Sequence, residues 1–123
     1  MSVWKIGSRW HEHGDFNSSI LSIFRRNNIV FVGNQEGKFI EKVKKGDYFA
    51  IADGRKVLAV ARALTDGKYL GQLVDKLEHY THEEKAIFDF DECKSFAEGC
   101  KVNIVDLEEP FDIFGPGAFC SAG

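Results

Sequence analysis

The segment from Tyr48 to Leu64 constrains this chain more than any other. It runs Tyr48-Phe49-Ala50-Ile51-Ala52, then Asp53-Gly54, then Lys56 onward with Val57, Leu58, Val60 and Ala61. Asp-Gly between two apolar, β-prone runs reads as a tight hairpin, because both central residues of a type I′ turn need φ > 0. Lys44-Lys45-Gly46-Asp47 just before it reads as a turn, with Gly supplying the positive φ.

Other strands follow from similar patterns. Val3, Trp4 and Ile6 open a short strand that Gly7 and Ser8 end. Ile29-Val30-Phe31-Val32, stopping at Gly33, has the continuous apolar character of a buried strand. Residues 101–107 alternate imperfectly through Val102, Ile104 and Leu107, with 111–114 as a pairing partner, and 118–123 return as a last short strand through Phe119 after the Gly115-Pro116-Gly117 breaker.

Between them, residues 9–17 read as a polar loop broken by Trp10 and Phe16. Ile20, Leu21, Ile23 and Phe24 recur at helical spacing, with Asn17 or Ser18 as cap and Asn27-Asn28 as stop; Arg25 and Arg26 in the last turn suit the helix dipole. A second short helix fits residues 36–43 through Phe39, Ile40 and Val43. Leu70, Leu73, Val74 and Leu77 predict an amphipathic helix over 69–80, residues 81–91 read as a charged loop with a short strand at Ala86-Ile87-Phe88, and 91–97 hold one more helical turn. Strands and short helices mixed in this way predict an α+β domain, a closed or half-closed β-barrel with helices plugging its ends.

A chain of 123 residues with 44% hydrophobic content fits a single domain, residues 1–123, with one core. Eleven Phe, two Trp and three Tyr require that the core or a pocket wall be built from rings. The net charge of −3 argues against coating duplex DNA by bulk charge. A nucleic-acid site must then be a local patch, from Arg25 and Arg26, from Lys38, Lys42, Lys44 and Lys45, or from Arg55 and Lys56. No apolar run is long enough to span a membrane, and Met1–Lys5 lacks the order of a signal peptide, so a cytoplasmic protein is expected. Three irregularly spaced cysteines, Cys93, Cys100 and Cys120, fit reduced thiols.

Three segments together resemble the PUA-like superfamily, and within it the EVE and YTH domains. Trp4-Lys5-Ile6-Gly7-Ser8, with its following loop and helix, is similar to the first strand of YTH domains. Phe31-Val32-Gly33-Asn34, a short helix and Val43-Lys44-Lys45-Gly46-Asp47 resemble the EVE order of strand end, helix and Gly-Asp turn. Ala59-Val60-Ala61-Arg62-Ala63 is similar to the EVE strand that returns. The resemblance covers about half the chain. It implies a small PUA-like β-barrel that binds a flipped or single-stranded base, often methylated, in a pocket walled by aromatics.

On that reading Trp4 and Trp10 form or border the pocket, with Lys5, Ser8, Phe31, Gly33 and Asn34 around it and Ala52 and Asp53 contributing from the hairpin. A Trp in a polar loop leaves apolar surface wet, so Trp10 requires a ligand or an intramolecular partner. The competing reading is that both rings pack into the core, and that Asp53 only makes the turn. Trp10→Ala is expected to abolish binding with little change in melting temperature.

His11-Glu12-His13, and His79 with His82 and Glu83, lack a third convergent ligand, and no metal or cofactor is expected. Asp75 with Glu83-Glu84-Lys85 only superficially echoes a metal-dependent nuclease set. The leading function is therefore a non-catalytic reader of a modified base in DNA or RNA, associated with a restriction or defence enzyme as free-standing EVE-like proteins are thought to be. The alternatives are an ASCH-like hydrolase of RNA or nucleosides using Lys5 with Tyr48 or Asp53, and a sensor or interaction module whose pocket takes a small nucleotide.

Overall fold

The computed structural model describes residues 2–11, 17–78, 80–112 and 120–121. Strand β1 (Val3–Gly7) is followed by β2 (Arg9–His11) and β3 (Asn17–Ser19), then helix α1 (Leu21–Asn27) and β4 (Ile29–Val32). Helix α2 (Lys38–Lys42) leads into the hairpin β5 (Tyr48–Asp53) and β6 (Lys56–Ala63). A two-residue β7 (Lys68–Tyr69), three short helices α3 (Leu70–Leu73), α4 (His82–Ile87) and α5 (Phe90–Cys93), the long β8 (Glu98–Asp112) and β9 (Cys120–Ser121) complete the order.

One mixed sheet runs β4-β8-β6-β5-β1-β9, with β7 also on β8, and β2-β3 form a separate ribbon. The sheet curls into a half-barrel. Trp10, just past β1 near one edge, has its ring 5.8 Å from that of Phe31 in β4 at the other edge. Phe24, Phe31, Phe39, Phe49 and Phe88 are wholly buried, so rings do build the core. Gly99 permits the closest approach: a Cβ there would lie 2.2 Å from the Val30 carbonyl oxygen, so β4 meets β8 only because the side chain is missing.

The Asp-Gly hairpin forms where the sequence places it, with one change of turn. Asp53 pairs with Lys56, and of the two loop residues only Gly54 has positive φ, at 60°. That is the type II′ pattern, in which glycine takes the first central position, rather than type I′. Asn28 ends α1 in the left-handed conformation, φ 51°, its N–H donating to the Phe24 carbonyl.

Six expectations are corrected. Asn17 and Ser18 do not cap α1: they pair with β2 as part of β3, and Ile20 stands at the cap with the Ser19 hydroxyl accepting from Leu21 N–H. The polar stretch after Ser8 is therefore partly strand. The helix over 69–80 stops at Leu73. Val74 is extended, and the chain then turns so that Glu78 N–H reaches Asn27 Oδ1 at 2.5 Å, while Leu70, Leu73 and Leu77 are still all buried. Tertiary burial is satisfied without a continuous helix.

Residues 81–91 are not one loop: His82–Ile87 and the start of Phe90–Cys93 are helical, with Phe88 and Asp89 extended between them, and Ala86-Ile87-Phe88 is not a strand. Thr81 Oγ1 accepts from Glu84 N–H at 3.1 Å and Asp89 Oδ1 from Glu92 N–H at 3.1 Å, capping α4 and α5. Phe111 does not belong to a separate partner strand. It continues β8, opposite Val57 of β6. Glu12, His13, Phe16, His79, Phe114 to Gly117 and Phe119 lie outside the described residues.

Candidate functional site

The alternation of β1 carries Trp4, Ile6, Ser8 and, continuing into β2, Trp10 on the inward side. Ile6 is fully buried and both indoles pack with the core. Six residues of extended chain separate the two Trp, about 20 Å at ~3.3 Å per residue. They therefore stand at opposite ends of the sheet and cannot wall one slot sized for a planar ring.

At the Trp4 end, the indole Nε1–H donates to Asp47 Oδ2 at 2.9 Å. The same carboxylate accepts from Lys44 N–H at 3.0 Å and, through Oδ1, from Ser2 N–H at 3.0 Å. Burial alone would raise the Asp47 carboxyl, but the hydrogen bonds from Trp4, Ser2 and Lys44, with the N-terminal charge, hold it below its ordinary 3.8. This end is a staple between β1 and the turn before β5. Cys100 senses the same charge: burial first, then Asp47, push its thiol up to about 12, so it stays protonated and unreactive at neutral pH.

The other end gathers most of the remaining candidates. Parallel pairing sets Gly7 beside Ala52, and Ser8, fully buried, donates twice to the Ala52 carbonyl, from N–H at 2.9 Å and Oγ at 3.0 Å. The Ser8 carbonyl accepts from Ile20 N–H at 2.7 Å, which locks α1 to the same point. Arg9 forks onto Asp53, Nε to Oδ1 at 2.5 Å and Nη2 to Oδ2 at 2.8 Å. The hydrogen bond and charge of Arg9 hold the Asp53 carboxyl below its ordinary range. Asp53 thus does more than make the turn, though its oxygens are engaged.

Trp10 is only 9% exposed. Its intramolecular partners are rings: Phe88 edge-on at 4.8 Å between centroids and Phe31 at 5.8 Å, with Phe31 and Phe88 4.7 Å apart. Its ring tip faces the bare Cα of Gly33, where a Cβ would lie 3.9 Å from Cη2. The indole N–H is sealed from solvent and has no hydrogen-bond partner among the described residues. Beyond Gly33, Asn34 Oδ1 accepts from Glu36 N–H at 2.9 Å, and the loop is pinned by the fully buried Glu98, whose carboxylate accepts from Gln35 N–H at 2.6 Å and Gly37 N–H at 3.2 Å.

Ser8, Trp10, Phe31, Gly33, Ala52 and Asp53 therefore belong to one end of the half-barrel, with Asn34 on the adjoining loop. Trp4 belongs to the other, and Lys5 lies on the outward face, level with Ala50. Sequence reasoning missed Arg9, Phe88 and Glu98. Arg9 adjoins Ser8 and becomes legible once β1 and β5 are known to run parallel, whereas nothing local marks Phe88 or Glu98.

Of the expected basic patches, Arg25 pairs with Asp106 at 2.8 Å and Arg26 with Glu84, which ties α1 to the β8 strand and to α4. Three clefts lined by described residues lie elsewhere, around Tyr69 and Lys94, around Tyr80 and Phe90, and around Asn27 and Glu78. No helix among the described residues is long and apolar enough to cross a membrane. No protein-family model, curated protein or solved structure matches the chain.

Proposed function

We infer that this chain is a PUA-like binding module that takes a base of single-stranded or locally opened DNA or RNA, a modified one in preference, at the Trp10 end of its half-barrel. The observation that carries the reading is the orphaned indole N–H of Trp10 within a cluster of rings. A buried donor left unpaired costs about 1–3 kcal/mol, and an acceptor brought by a ligand recovers it. Within that cluster Trp10 is the ring that keeps some exposure, 9%, and a base stacked on it would gain about 1–3 kcal/mol.

The surroundings suit recognition better than turnover. Asp53 is engaged by Arg9, and Lys5 stands on the opposite face of β1 from Trp10. Of the pairs an enzyme would use, Lys5–Asp53 is not assembled among the described residues, and Lys5 and Tyr48 share the outward face, away from Trp10. Gly33 keeps its backbone bare beside the Trp10 ring tip, and Asn34, with its oxygen turned to Glu36, has no partner for its amide hydrogens among the described residues. The resemblance of the first half of the chain to EVE and YTH domains supports the same reading, as does the half-barrel itself.

The test uses Trp10→Phe, which keeps an aromatic ring in the cluster and deletes the N–H donor together with the outer part of the indole. Titration calorimetry compares it with the wild type on nucleosides and short single strands that carry one modified or one unmodified base. The expected result is saturable binding that weakens roughly tenfold in the variant, the worth of one buried hydrogen bond. Equal affinity of both proteins, or binding by neither, contradicts the assignment.

A further inference from the structure

Among the described residues, four of the five large apolar side chains that stand exposed, Val3, Tyr48, Leu64 and Val105, share one side of the sheet. Alternation puts them there. Ile6, Phe49, Ile51, Ala61, Ala63 and Val102 belong to the core, so their neighbours along each strand point outward. Register then sets Val3, Tyr48, Arg62 and Asn103 side by side, with Lys5, Ala50, Val60 and Val105 in the next row, where Ala50 is buried and Lys5 and Val60 are half-buried. Leu64 continues the pattern beside Lys101, its N–H donating to the Lys101 carbonyl at 2.7 Å. The Arg62 guanidinium lies 5.8 Å from the centre of the Tyr48 ring.

The charge on this face is of one sign. Its charged residues are Lys5, Arg62 and Lys101, and no carboxylate among the described residues occupies these rows, although the chain as a whole carries −3. Asp66, two residues beyond Leu64, is turned to Lys45 N–H at 2.8 Å.

We propose that this outer face docks a short amphipathic helix of a partner protein, one with acidic residues flanking its apolar stripe. Nucleic acid fits the face less well, because bases gain from stacking on aromatic planes, and the one aromatic here already carries Arg62. Val3, Leu64 and Val105 gain instead by meeting aliphatic side chains that exclude water. A second copy of this chain placed across a two-fold axis brings Lys5, Arg62 and Lys101 against themselves, which like-charge repulsion opposes. Four strands at ~4.8 Å span about 15 Å, the length of roughly ten helical residues. Tyr48 and Arg62 at the centre are the residue types that most often anchor interfaces.

The test is amide chemical-shift mapping on the full chain. Its probes are a three-turn helical peptide with a Leu stripe flanked by Glu, the same peptide with every Glu replaced by Lys, and a short oligothymidylate. The Leu/Glu peptide alone is expected to shift Val3, Tyr48, Arg62, Leu64 and Val105, and the exposed double variant Leu64→Glu, Val105→Glu is expected to bind it at least roughly tenfold more weakly. Equal response to the Lys peptide, preferential response to oligothymidylate, shifts that depend on protein concentration without any probe, or no response at all would each overturn it.

Discussion

Trp4 in β1 and Trp10 in β2 are indoles of the same parity along one extended run, and they solve the same problem differently. At one end Trp4 finds an acceptor in Asp47, which also gathers the N–H groups of Ser2 and Lys44. At the other, Trp10 is more deeply buried and packed by Phe31 and Phe88, yet its N–H finds no acceptor among the described residues. A satisfied donor holds a fold together, and an unsatisfied one at a sheet end marks a place where something is missing from the partner list. The Trp4 end is structural, and the contrast is the reason the proposed function places recognition at the Trp10 end.

The sharpest way to break this comparison is Trp10→Ala. Because the ring is part of the core, truncation is expected to cost about 3–5 kcal/mol in urea unfolding, as for other buried aromatics. Loss of binding in that variant therefore does not separate recognition from folding, and the expectation of an unchanged melting temperature does not survive the burial of the ring. A loss below about 1 kcal/mol would mean that the Phe31–Phe88 cluster does not hold Trp10 as described.

Asp47→Asn comes next, at about 1–3 kcal/mol, since it leaves at least one of three donors facing an amide instead of a carboxylate. Its pH dependence checks the sign. A carboxyl held below 3.8 in the folded state adds stability above that value and loses it as pH falls below 3.8 toward the folded value. The gap between wild type and variant should therefore narrow below about pH 4. A gap that widens on acidification contradicts the staple.

Ser8→Ala removes one of two bonds to the Ala52 carbonyl and is expected to cost about 1 kcal/mol. Arg9→Ala has the smallest effect: an exposed pair with Asp53 leaves the thermal midpoint nearly unchanged. It should nonetheless move binding of a base-bearing strand if the Trp10 end is the site.

What the sequence disclosed was local. The hairpin at Asp53-Gly54, the buried run at Ile29-Val30-Phe31-Val32, the Asn28 stop and the aromatic core all follow from patterns within a few residues. The caps at Thr81-x-x-Glu84 and Asp89-x-x-Glu92 were equally local and carry the capping signature, so α4 and the start of α5 were legible and went unread behind their high charge. The staple at Asp47, the Ser8–Ala52 bond and the Glu98 pin join residues more than 40 apart in sequence, or, for Asp47, Trp4 and Ser2 as well as a neighbour. Such contacts depend on register, which no local pattern fixes. Pairing Trp4 with Trp10 in one pocket failed for this reason: shared parity was visible, but separation along the strand decides proximity.

The two indole N–H resonances provide the most direct measurement. In the free protein the Trp4 signal should lie downfield, hydrogen-bonded to Asp47, and the Trp10 signal upfield, without an acceptor. On titration with a strand that carries the preferred base, the account requires the Trp10 resonance to move downfield while that of Trp4 stays fixed. Movement of Trp4 alone, or a Trp10 resonance already downfield and indifferent to every base offered, would contradict it.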